Sequence, residues 1–307
     1  MLINISYLVF EKINDVILIS KIVIMKHSLK LSFFLVLFTL GATVVAQTTL
    51  TEIWRTNEIL NTCESVLYHS DLDQLFVSCI NGSPAEKNSE GFISIVKTDG
   101  TIKSLDWITG LNAPKGMAIL DGKLYVADID QLVVISIRKA KIVERIPVDG
   151  ATFLNDVAVS PDGKVYFTDS DTGYIWIYSG GKLQKWITDG LNRPNGLFIE
   201  EDRVLLTSSG SQDLKIINRA TGEAKVVTTD IGHGDGIEFT GTKGFYITSS
   251  WSGEVFLISP DYNKFSMLKT SEQEINSADI GFNMKEQVVY VPTFFDNRVV
   301  AYKLTIN

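Results

Sequence analysis

The chain predicts an all-β fold: a six-bladed β-propeller of four-stranded blades, its ring closed by the N-terminal strand joining the last blade. Three observations carry this. Short apolar and β-branched runs punctuated by Gly, Asp and Asn fill the chain after residue 47, and no long stretch of helical periodicity interrupts them. One phrase recurs, with Gly110-Leu111-Asn112-Ala113-Pro114-Lys115-Gly116-Met117 returning as Gly190-Leu191-Asn192-Arg193-Pro194-Asn195-Gly196-Leu197. Related phrases follow one another at close to forty residues, a propeller-blade period.

The repeat can be followed in both directions. Leu154-Asn155-Asp156-Val157 stands forty residues before Pro194-Asn195-Gly196-Leu197, and Gly234-Asp235-Gly236-Ile237 stands forty after it. Pro114-Lys115-Gly116-Met117 lies forty further upstream, and Cys63-Glu64-Ser65-Val66 and Ser277-Ala278-Asp279-Ile280 are looser matches that complete six. The first interval is fifty-one residues, which a polar insertion over 81–90 accounts for. Each phrase opens an innermost strand. Second strands are expected over 123–127, 164–168, 203–207 and 244–248. Third strands are expected over 132–137, 174–178, 214–218, 254–258 and 298–302, and fourth strands over 183–187 and 224–228. A solenoid of stacked repeats would need capped ends. Here the ends complement each other: the last unit has three strands (280–283, 288–291, 299–304), and residues 50–55 offer a spare one. Pairing them seals the ring and leaves no open sheet edge.

Residues 47–307 are read as this single domain, and residues 1–46 as an upstream segment and signal peptide. Met25-Lys26-His27-Ser28-Leu29-Lys30 is a basic start, residues 31–46 are mostly apolar, and Val44-Val45-Ala46 precede Gln47 as a cleavage site would. Translation is expected to start at Met25. The apolar run is short for a bilayer span, so the mature chain is expected to be exported, periplasmic or secreted, with no stable membrane span. A net charge of −8 without Lys/Arg clustering argues against nucleic acid and suits a metal or a small molecule. Cys63 and Cys79 flank an expected hairpin turn at 70–73. An exported chain could join them, but disulfides between adjacent strands are strained, and two buried free thiols are the expectation.

The residue inside each phrase starts an innermost strand and so faces the central channel. Around the ring that column reads Glu64, Lys115, Asn155, Asn195, Asp235 and Ala278. Two carboxylates and two amides from four blades converge, an oxygen set suited to a hard divalent cation. Calcium is the first choice, with magnesium, manganese and zinc as alternatives. Asn-Gly and Asp-Gly are also common turn dipeptides. Lys115 stands at the same level, where its ammonium would pair with Glu64, turn away, or meet an anionic substrate group.

These residues resemble the regucalcin (senescence marker protein) and gluconolactonase family of six-bladed propellers, over roughly residues 49–304. The resemblance implies one divalent metal in the channel, held by Glu64, Asn195 of the Asn-Gly step and Asp235 of the Asp-Gly step. It places Asn155 beside metal and substrate, and it makes Asp235 the candidate general base. It therefore implies hydrolysis of a lactone or ester. The pattern departs in two places: Phe153 stands where the family has a sugar-holding Arg, and Ser65-Val66 follows Glu64 where it has Gly/Cys-Pro.

His233 is a second candidate for proton transfer or substrate contact, with an exposed loop position as its plain alternative. His69 reads as structural. No Gly-x-Ser-x-Gly elbow supports a serine triad, and the runs at 208–211 and 249–252 read as turns. Among the aromatics Trp107, Trp176, Trp251, Phe294 and Phe295, packing is the default, and the last three are placed best to touch a ligand. A non-catalytic binding or scaffold module, like the NHL-repeat or strictosidine-synthase-like propellers, is the alternative to an enzyme.

Overall fold

Runs of alternating apolar residues, each bounded by tight turns, pair antiparallel with their sequence neighbours. The computed structural model describes residues 48–242 and 244–306. The signal segment expected over 1–46 lies outside the described residues. Within them, twenty-four strands form six four-stranded sheets, and a single 3₁₀ turn, Ser271–Gln273, is the one helical element. This is the six-bladed propeller that the repeat predicts. No helix among the described residues is long and apolar enough to cross a membrane.

The innermost strands of blades one to six are Cys63–His69, Pro114–Leu120, Leu154–Val159, Pro194–Ile199, Gly234–Phe239 and Gly281–Asn283. The first five open within a residue of the sequence phrases, and the sixth opens just after its phrase. Closure is also as expected. Thr49–Arg55 pairs antiparallel with Val299–Thr305, with Leu50 opposite Leu304 and Glu52 opposite Tyr302, and it forms the outer strand of blade six. At the inner end the Asp279 N–H donates to the Glu64 carbonyl (2.9 Å) and the Val66 N–H to the Asp279 carbonyl (3.1 Å), joining blade six to blade one.

The apolar core lies between blades. One cluster joins blades two and three through Leu132, Leu154, Phe167 and Trp176, and another joins blades six and one through Leu75, Val77, Tyr290 and Ala301. Hydroxyls from second strands tie neighbouring inner strands together. Thr168 Oγ1 accepts from the Asp156 N–H (3.0 Å) and donates to the Asn195 carbonyl (3.1 Å) in the next blade. Thr207 Oγ1 accepts from the Gly196 N–H (3.0 Å) and donates to the Asp235 carbonyl.

Two local expectations change. The strand expected over 244–248 runs Tyr246–Ser250. Gly244 takes a left-handed φ of 68° and Phe245 N–H bonds back to the Thr242 carbonyl (3.0 Å), so the turn extends to Phe245. The serine runs are not wholly turns: Ser208 closes Arg203–Ser208 and Ser249-Ser250 close Tyr246–Ser250, all three buried. Cys63 and Cys79 sit directly opposite each other, buried, as free thiols. Cys63 Sγ donates to the Arg298 carbonyl (2.9 Å), and burial pushes its thiol up to about 12, which makes it inert.

Candidate functional site

The inner strands do not pair regularly at the phrase. The ladder skips Glu64 between Cys63 and Ser65. It likewise skips two residues between Pro114 and Met117, Leu154 and Val157, Pro194 and Leu197, and Gly234 and Ile237. Such a bulge re-aims a side chain out of the sheet. Glu64, Lys115, Asn155, Asn195 and Asp235 all sit on these irregularities, all are buried, and all line one cavity of about 350 Å³. Ala278, the sixth in the column, packs in an apolar cluster with Ile80, Ala113 and Phe294.

Three oxygens here are buried without a hydrogen-bond partner: Glu64 Oε2, Asn195 Oδ1 and Asp235 Oδ1. They come from blades one, four and five. A buried polar atom left unpartnered is costly, so a set of three facing one cavity calls for a ligand. Asn155 commits its NH₂ to Ser170 Oγ (3.0 Å), and Ser170 in turn donates to the Pro194 carbonyl (2.7 Å). Lys115 turns away: Nζ donates to the Pro84 carbonyl (2.9 Å) and the Ala113 carbonyl (3.0 Å) and lies 4.5 Å from the Phe153 ring centroid. It forms no ion pair with Glu64 among the described residues. The 81–90 insertion thus reaches the site through Pro84 and is held there by Lys115.

Burial drives the titration of this region. It lifts Glu64 well above the usual carboxylate range, helped by the charges of Asp235 and Asp279 and opposed by Lys115. Burial and Asp279 lift Asp235 likewise, with the Asn195 amide opposing. Burial lowers Lys115 to about 8, against the pull of Glu64.

The column one residue further in was not singled out by the sequence. It reads Ser65, Gly116, Asp156, Gly196, Gly236 and Asp279. Asp156 and Asp279, with Glu238, line a second cavity of about 40 Å³. Burial raises Asp279 to about 7, and burial with the Asp279 charge raises Glu238 to about 8. Ser65 Oγ donates to Asp279 Oδ2 (2.5 Å), and Asp156 Oδ2 accepts from the Leu197 N–H (2.6 Å). The signal lay in acids at this position in blades three and six, each preceded in the ring by a glycine. A Cβ on Gly116 would stand 2.4 Å from Asp156 Oδ1, and one on Gly236 would stand 2.1 Å from Asp279 Oδ1. None of Gly116, Gly196 and Gly236 has positive φ, so their role is close approach and not turn geometry.

The cavity rim is aromatic. Phe153, Trp251, Phe294 and Phe295 line it together with Arg193 and His233. His233 Nδ1 lies 2.9 Å from the Ser209 carbonyl, and Arg193 pairs with Asp171 at 2.6 Å. Trp107 and Trp176 serve packing: Trp107 lies 5.0 Å from Phe76, and Trp176 stacks on Phe167 at 6.4 Å.

Among the described residues no group of three or more His, Cys, Asp or Glu side chains is placed to hold a metal ion. The donor set here has a different make-up, two carboxylates completed by amide oxygen. Its three unpartnered oxygens fit a hard cation that takes oxygen ligands.

No family model and no curated protein matches this sequence. Solved structures do. The gluconolactonase of Xanthomonas campestris aligns with a TM-score of 0.61 at 14% identity, over 84% of this chain and 98% of that one. A catalytically inactive virginiamycin B lyase from Staphylococcus aureus, solved with quinupristin, aligns at 0.60 and 13%, over 84% and 100%. A streptogramin B lyase structure aligns at 0.61 and 13%, over 84% and 98%. At these identities the likeness establishes the shared propeller fold, and the chemistry rests on the site.

Proposed function

We propose that this chain is an exported, metal-dependent hydrolase that opens a lactone or ester. The observation that carries the reading is the trio of buried, unpartnered oxygens on Glu64, Asn195 and Asp235. These residues, with Asn155 alongside, would hold one divalent cation, calcium by preference. When bound, such an ion polarises a substrate carbonyl and lowers the pKa of bound water. The chain's own groups do the remainder. Asp235, whose carboxyl is raised by burial, accepts the proton released as water attacks. Asn155, braced by Ser170, orients the substrate's oxygen. Lys115, anchored on two carbonyls, keeps a positive charge on the cavity lining without reaching Glu64. His233 stands on the cavity lining with one ring nitrogen engaged, as a contact for the departing alcohol. The gluconolactonase among the structural neighbours supports a lactone as the substrate class.

Calorimetric titration of calcium into chelator-treated protein, followed by a lactone panel, tests the reading. One binding event lost in Glu64→Gln and Asp235→Ala, together with calcium-dependent turnover, is expected. Absence of binding overturns it. Binding without turnover, unaffected by Asp235→Ala, favours a non-catalytic binding module.

A further inference from the structure

We infer that the substrate carries an apolar ring or alkyl substituent on its lactone or ester, and not an array of hydroxyls. The inference rests on the hydrolase reading above and deepens it. Its first support is the rim. Trp251, Phe294 and Phe295 form a mutual edge-to-face cluster, with centroids 5.8 Å, 6.2 Å and 4.7 Å apart. Trp251 is 38% and Phe295 62% exposed, a large apolar surface left open at a cavity mouth. Phe294 takes a left-handed φ of 51°, a costly conformation for a bulky side chain, and its backbone is held by a bridge to Cys63. The strain keeps that ring at the cavity.

The second support is independent: each cationic or imidazole group on the lining is already committed through at least one atom. Arg193 is paired with Asp171, Lys115 donates to Pro84 and Ala113, and His233 Nδ1 meets Ser209. Phe153 has the Lys115 ammonium at 4.5 Å and the Arg193 guanidinium at 5.8 Å from its ring. The buried oxygens of the lining that have no partner are those of Glu64, Asn195 and Asp235. Polarity at the bottom and aromatic rings above describe an amphipathic ligand, carbonyl inward and apolar group outward. In the reaction, water adds to the carbonyl carbon and the acyl–oxygen ring bond breaks. The released alkoxide takes a proton, leaving a hydroxy acid.

The test compares δ-phenyl-δ-valerolactone with glucono-δ-lactone, which share a six-membered ring and differ in substituents. Binding is read separately, by calorimetry on calcium-loaded protein, with the non-hydrolysable lactams 6-phenylpiperidin-2-one and gluconolactam. The phenyl lactam is expected to bind more tightly and the phenyl lactone to be opened faster. Trp251→Ala and Phe295→Ala should each weaken phenyl-lactam binding about tenfold, with a thermal melt showing that both variants fold. Tighter gluconolactam binding, or variants that bind like the parent, would overturn the inference. If glucono-δ-lactone is the faster substrate, the inference falls and the hydrolase reading stands. If the phenyl lactam binds and neither lactone is opened, the hydrolase reading falls and the ligand class stands.

Discussion

Lys115 occupies the seat held by Asn155, Asn195 and Asp235 in other blades, yet its charge leaves the seat for the Pro84 and Ala113 carbonyls. Removing the ammonium should have two opposite effects. Lys115→Met keeps the apolar stem and loses two hydrogen bonds from a charged donor, which should destabilise the fold by about 1–3 kcal/mol in urea denaturation. The ammonium also stands close enough to act on the Glu64 charge, so its removal relieves repulsion on a cation held there, and calcium bound as proposed should bind more tightly. Unchanged calcium affinity would mean the ammonium and the ion do not share a field. At the carboxylate end, Glu64→Gln and Asn195→Ala should each reduce calcium affinity at least tenfold by calorimetry, since either loses an oxygen from a small donor set. Residue identity in this column was legible because the blades repeat. The direction of the Lys115 side chain was not, because it depends on a carbonyl in the 81–90 insertion, which has no counterpart in the repeat.

At the level of elements, the Pro-x-Gly phrase reads differently once folded. Its glycine, like Gly236 of the Gly-Asp-Gly step, has the look of a turn residue, but its lack of a Cβ makes room for the next blade: the Asp156 carboxylate at Gly116, the Asp235 carbonyl at Gly196 and the Asp279 carboxylate at Gly236. Gly236→Ala would put a Cβ 2.1 Å from Asp279 Oδ1 and 2.6 Å from the Ile280 nitrogen. Overpacking of this kind should cost about 1–3 kcal/mol or more. Adding Asp279→Ala should recover part of that loss, because one clash is with the carboxylate, and the other part should remain, because the second is with backbone. Fully additive losses in denaturant melts would refute the contact. Strand order and ring closure were readable from periodicity alone, since residues 50–55 complement a last unit that is one strand short. The Asp156 and Asp279 layer went unread. Each acid sits one position past the phrase residue, and only the fold shows that a glycine faces it across the blade boundary.

For the whole molecule, the channel gathers like charge out of water. Burial raises Asp279 to about 7 and Glu238 to about 8, and it lifts Glu64, Asp156 and Asp235 well above the usual range. An acid raised on folding makes the native chain bind more protons than the unfolded chain. Its favourable contribution is full below the unfolded pKa near 4 and is lost as pH rises through the folded value. Lys115, lowered to about 8, acts above that point, where deprotonation relieves its burial. Between pH 5 and 8 the carboxyls therefore dominate, and the chelator-treated protein should show a falling melting temperature. Net negative charge also grows over this range, so the assay is run in enough salt to screen surface repulsion. Glu238→Gln, which cannot ionise, should flatten part of the decline. Calcium held as proposed would require the ionised acids, so its stabilisation should be larger at pH 8 than at pH 5. A melting temperature that rises across this window in chelator would show that the channel acids are ionised without an ion to hold them.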